Sequence, residues 1–169
     1  MPGEIKLIFL MGAVAFAARI LLKSSFQYIL STYGLAAIFG LVLQVVLGSE
    51  LNDYNSSFSL YVGYVSVGII LVWSVSLGGW HFLSQLVIRK FNLYPQTAFS
   101  IMIGLMMMVV VEILGYNLFC IRLTKEYPSL LPPLNCMHAP LELYFCYIAT
   151  GLLFYFTMSE LPKKIKNIN

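Results

Sequence analysis

The chain has 169 residues, of which 60% are hydrophobic and only 10% charged, where soluble domains carry roughly 25% charged residues. A water-soluble globule has no place for so much apolar surface, and the apolar residues fall in runs long enough to cross a hydrocarbon layer of about 30 Å. The formal net charge of +3 forms no basic stripe alternating with aromatics, which excludes a nucleic-acid surface.

In a bilayer each backbone amide must be satisfied within its own segment, so runs of this length are helices. The expected fold is all-α, a single polytopic integral membrane bundle over residues 1–169 with about five transmembrane helices. The first span covers about 5–22. Glu4 offsets Lys6 ahead of it, so this segment reads as a retained span and not as a cleaved signal peptide. The second covers about 26–48 and ends in the polar, acidic cluster from Gly48 to Ser57. No charge occurs from Phe58 to Ile88, and one helix of that length would measure about 46 Å. A third span over 59–77 is therefore expected, bending at Gly78-Gly79 into a continuation to 88 that carries Trp80, His81 and Gln85. A fourth covers 97–120, and a fifth, opened by Pro140, covers 140–159.

Lys and Arg in short loops mark the cytoplasmic side. Five spans put Arg19, Lys23, Arg89, Lys90, Lys163, Lys164 and Lys166 on one side and Lys6, Arg122 and Lys125 on the other. The C-terminus is accordingly expected in the cytoplasm and the N-terminus outside. Asn55-Ser56-Ser57 on the outer face is either a glycosylation sequon or a plain polar turn. Small residues four apart, Ala13/Ala17, Ala36/Gly40 and Ser74/Gly78, offer seams for close helix packing.

Ionisable groups within spans are expensive and therefore functional candidates. Glu112 lies inside the fourth span with Met108, Gly115 and Tyr116 on its face. Desolvation there suits a proton donor; hydration near the outer interface, or a hydrogen bond to a neighbouring helix, is the alternative. Glu142 falls in the first turn of the fifth span, where the helix dipole alone accounts for a carboxylate. Were that helix to include His138, then His138, Glu142 and Cys146 would share a face able to relay protons or hold a metal. Cys136-Met137-His138 offers soft ligands, although adjacent residues seldom converge on one ion. Cys120 and Cys136 flank one loop and would pair only in an oxidising compartment. Glu50 and Asp53 read as outer-loop acids, and Trp73 and Trp80 as either a groove for a long apolar ligand or an aromatic belt. Nothing in the sequence names a cofactor.

The stretch Glu112-Ile113-Leu114-Gly115, then Tyr127, then Pro140-Leu141-Glu142-Leu143-Tyr144-Phe145 resembles the lycopene cyclase domain family of carotenoid-modifying membrane enzymes. That family opens an aromatic-rich helix with Pro-x-Glu-Glu/Asp; Leu143 stands here in place of the second acid. The resemblance implies that Glu112 and Glu142 protonate a polyene end and stabilise a carbocation.

Three functions fit. One is an enzyme acting on an isoprenoid or other long apolar substrate within the bilayer, through Glu112, Glu142 or His138. Another is a non-catalytic subunit of a larger membrane complex, whose partners would hold the polar tail from Lys163 to Asn169. A channel or transporter comes last, because intramembrane charges are too few for a proton pump.

Overall fold

The computed structural model describes residues 3–52, 54, 55, 58, 60–63, 65–119, 122, 123, 127–130, 133 and 138–161. Five helices account for most of them: α1 (Gly3–Leu21), α2 (Phe26–Asn52), α3 (Val67–Phe91), α4 (Gln96–Leu118) and α5 (Leu141–Ser159). Four of these, α2 to α5, are long and apolar enough to cross a membrane. α1 carries Glu4, Lys6 and Arg19 within its 19 residues and is not among them.

α3 is the axis of the bundle, packing against each of the other four helices, while α4 is the least buried of the apolar four. The third helix differs from its expected outline in two ways. It begins at Val67, because Tyr61–Val62 (β2) and Val65–Ser66 (β3) pair as a hairpin turning at Gly63 with φ +62, a value natural to glycine. Ser66 then caps α3, its Oγ accepting the Ile69 N–H. The helix also runs unbroken through Gly78-Gly79 to Phe91. Gly78 serves close packing instead of a bend, since a Cβ there would meet the Tyr33 ring at 2.6 Å.

Gly40 does the same for Trp73, whose Cβ lies 2.7 Å from the place of a glycine Cβ. With Ala36 and Ser74 almost fully buried, the α2 and α3 small-residue seams are packed, whereas Ala13 and Ala17 on α1 are exposed. The central core unites Tyr28, Tyr33, Leu77, Trp80, Phe82, Ile103, Phe154 and Met158.

The two ends of the bundle are organised differently. At one, Arg19 donates to the carbonyl of Ser24 and Arg89 to that of Leu22, so both guanidiniums clasp the α1–α2 turn. At the other, Tyr54–Asn55 (β1) pairs antiparallel with Arg122–Leu123 (β4), joining the segments after α2 and α4. Glu4 accepts the Leu60 N–H at that same end. Asp53, Ser56, Ser57, Cys120, Lys125, Cys136, Met137, the tail from Lys163 to Asn169 and the side chain of Glu50 lie outside the described residues.

Candidate functional site

A cavity of about 160 Å³ lies between α3, α4 and α5. Its walls are largely apolar: Ile69, Val72 and Leu77 from α3, Ile101, Leu105 and Val111 from α4, Ile148 and Leu152 from α5. Lining residues on α4 run from Ile101 to Tyr116, which at 1.5 Å per residue is about 22 Å of helix axis.

Trp80 closes one end of this slot. Its ring lies against two glycines on different helices: a Cβ on Gly104 of α4 would sit 2.4 Å from Cε2, and one on Gly151 of α5 would sit 2.9 Å from Cζ3. The indole Nε1–H donates to the Ser100 carbonyl at 2.7 Å. The buried polar edge of the indole is thus satisfied while its apolar body fills the junction of three helices. Trp73 lines the slot further along and meets Tyr147 edge to face at 5.0 Å.

The polar end holds Glu112, Tyr116 and His138. Met108, Glu112, Gly115 and Tyr116 all line the cavity, as the helical spacing predicts. His138 reaches it from the segment before α5; its ring stacks on Tyr116 with centroids 4.3 Å apart and planes 18° apart. His138 Nδ1 lies 3.1 Å from the Tyr127 carbonyl oxygen. A carbonyl only accepts, so Nδ1 carries the proton and Nε2 is left as the basic nitrogen of the neutral ring. Glu112 and His138 are close enough to interact electrostatically.

Glu142 does not join them. Pro140 is the N-cap of α5, so the helix starts at Leu141 and leaves His138 outside it. The i to i+4 relation between His138 and Glu142 therefore never forms; Glu142 is exposed and absent from the cavity wall. Cys146 is half-buried and does not line the cavity either. Of the three candidate residues, the fold gathers Glu112 and His138 and points Glu142 elsewhere. Among the described residues no three His, Cys, Asp or Glu side chains converge on a metal-sized site.

A second polar cluster was not anticipated from the sequence. Tyr28 Oη and His81 Nε2 share a short hydrogen bond, and Gln85 Nε2 lies 3.0 Å from Tyr28 Oη and 2.8 Å from His81 Nε2. His81, Gln85 and Arg89 follow one another at four-residue steps on α3, forming a polar ladder from the core to the end of the bundle where Arg89 grips Leu22. The only signal in the sequence was a histidine and an amide four apart in a helix otherwise lacking such groups.

Compared with known proteins, the chain matches no family model, no curated protein and no solved structure.

Proposed function

We propose that this chain is a five-span integral membrane protein that binds an elongated apolar molecule within the bilayer and transfers a proton to or from it at Glu112. The observation that carries this reading is a carboxyl group, beside an imidazole of fixed tautomer, at one end of an otherwise apolar slot. An acid in such a place would be left out of the apolar interior unless something there used it. In the proposed step Glu112 gives its proton to the bound molecule, and the His138 imidazole, which lines the same end of the slot, stabilises the charge that develops.

Orientation follows from the basic residues. Arg19, Lys23, Arg89 and Lys90 fall at the end of the bundle where the α1–α2 turn is clasped, which supports a cytoplasmic assignment for that end and an outer position for the Glu112 and His138 end. The resemblance to the lycopene cyclase domain supports an acid at position 112. Paired-acid chemistry finds no support, because Glu142 faces away from the slot.

The test compares membranes containing the wild type with those containing Glu112→Gln, which keeps the shape and removes the acid. Extraction and mass spectrometry should find an apolar molecule bound to both proteins and a converted product only with the wild type. Identical extracts with no bound molecule in either would refute the reading.

A further inference from the structure

Resting only on the membrane reading of the bundle and not on the slot, we infer that Arg19, Lys23 and Arg89 form a site for the phosphate of an anionic phospholipid, at the end of the bundle where the α1–α2 turn is clasped.

Three cations are gathered on that turn. Arg19 of α1 donates to the Ser24 carbonyl at 3.0 Å and Arg89 of α3 to the Leu22 carbonyl at 3.5 Å, so two guanidiniums from different helices flank Lys23. All three residues are exposed. Lys and Arg spread over loops are enough to orient a membrane protein; orientation does not require them to converge. Among the described residues, the one hydrogen bond that each guanidinium makes is to a backbone carbonyl, and a guanidinium carries five N–H donors in a fork that matches phosphate. Carbonyls leave the charges unneutralised, and like charges brought together repel. A phosphate set over the turn would accept from both forks and offset all three charges.

Lys23 itself points the same way. It follows α1 with φ 53, in the left-handed region where helices commonly end on glycine or asparagine. A lysine is costlier there, and what it brings is a charge between two arginines.

The surroundings fit a lipid better than a free anion. Phe16 and Ile20 on α1 and Phe26 and Leu30 on α2 are exposed within about two helical turns of Lys23, and the two helices touch each other only sparsely. A phosphate held at the turn would leave its acyl chains alongside these side chains. The rest of the head group is selected by charge: choline or ethanolamine would bring a fourth cation to the cluster, whereas glycerol brings none. Anionic lipids of this kind are supplied by the cytoplasmic leaflet.

The experiment takes the full-length protein in a neutral detergent and follows, by native mass spectrometry, retention of phosphatidylglycerol and of phosphatidylcholine with the same acyl chains. Thermal unfolding is measured alongside in each lipid and in inorganic phosphate. Phosphatidylglycerol should be retained at about tenfold lower concentration than phosphatidylcholine, and it should raise the unfolding midpoint where inorganic phosphate does not. Lys23→Asn, which suits the positive φ, should be at least as stable as the wild type without lipid, yet weaken phosphatidylglycerol retention about fivefold, the effect of about 1 kcal/mol for one cation at an anionic surface. Lys6→Gln removes a cation from the first turns of α1, at the opposite end, and should leave retention unchanged. Equal retention of the two lipids would overturn the site, as would a preference that Lys23→Asn leaves intact or that Lys6→Gln reduces as much. Stabilisation by inorganic phosphate equal to that by phosphatidylglycerol would leave an anion site and overturn the lipid assignment. Should Lys23→Asn fail to fold, Lys23→Gly serves the same comparison. The slot lies between α3, α4 and α5, so each of these failures leaves the proposed function standing.

Discussion

The indole of Trp80 occupies the space left by the missing side chain of Gly104, where a Cβ would stand 2.4 Å from Cε2. Three helices meet at this contact, and the Nε1 bond to Ser100 leaves the ring little room to retreat. Gly104→Ala should therefore destabilise the protein by about 1–3 kcal/mol through overpacking, despite the better helix propensity of alanine. Gly151→Ala, with its nearest approach at 2.9 Å, should cost less, and Gly79→Ala, at 3.8 Å from Met107, should be neutral or stabilising. Thermal unfolding in micelles gives the order; a Gly104→Ala protein as stable as the wild type would contradict the packing described for Trp80.

Gln44 holds the start of α3. Its side-chain amide accepts the Ser66 N–H and donates to the Ser66 carbonyl, both at 3.0 Å, pairing with the hairpin backbone as a neighbouring strand would. Gln44 is 1% exposed, so water cannot replace the lost partner. Gln44→Met, which keeps the volume and orphans two backbone groups, should lower stability by about 2–4 kcal/mol. Gln44→Glu retains one bond and sets two acceptors face to face, and it should also destabilise. Wild-type unfolding midpoints for both variants would show that Ser66 does not depend on this grip.

The helical runs were legible because hydropathy and length report them directly, and the Met108, Glu112, Gly115 and Tyr116 face followed from helical spacing alone. The start of α3 was not, because residues 59–66 carry no charge to set them apart from the helix they precede and only two positions separate the paired Val62 and Val65. Gly78-Gly79 misled for a different reason: a glycine pair in an apolar run carries the same signal for a kink as for a close approach, and only the Tyr33 ring distinguishes them. Glu142 and His138 depended on where α5 begins, a matter of one turn decided by Pro140 as the cap. His81 and Gln85 could be seen on one face of α3, but their partner Tyr28 lies on another helix, and pairing between helices is not written in either one's spacing.

Tyr28 Oη is shared by His81 and Gln85 in a site where Tyr28 itself is 1% exposed. Tyr28→Phe keeps the ring contacts with His81 and Phe82 and removes only the hydroxyl. The expected loss is about 1–3 kcal/mol, because the buried partners lose a hydrogen bond that water cannot supply. Combined with Gln85→Leu, the two losses should fall short of additivity by about 0.5–3 kcal/mol, as expected of members of one network. Strictly additive unfolding energies would separate the residues into independent contacts.

His138 is fixed from two sides, by Tyr116 stacked at 4.3 Å and by the Tyr127 carbonyl at Nδ1. The carbonyl dictates that the neutral ring is protonated at Nδ1, and the stacked ring keeps the imidazole in the plane where that bond can form. The chain has two histidines, so nitrogen NMR of a histidine-labelled sample can be assigned with a His81→Phe variant. The neutral form of His138 should show a protonated Nδ1 and a bare Nε2. Tyr116→Phe preserves the stacking and should leave that spectrum unchanged, whereas Tyr116→Ala should let the ring turn and populate both tautomers. If wild-type His138 is instead protonated at Nε2, its Nδ1 cannot donate to the Tyr127 carbonyl, and the tautomer assigned from that contact is wrong.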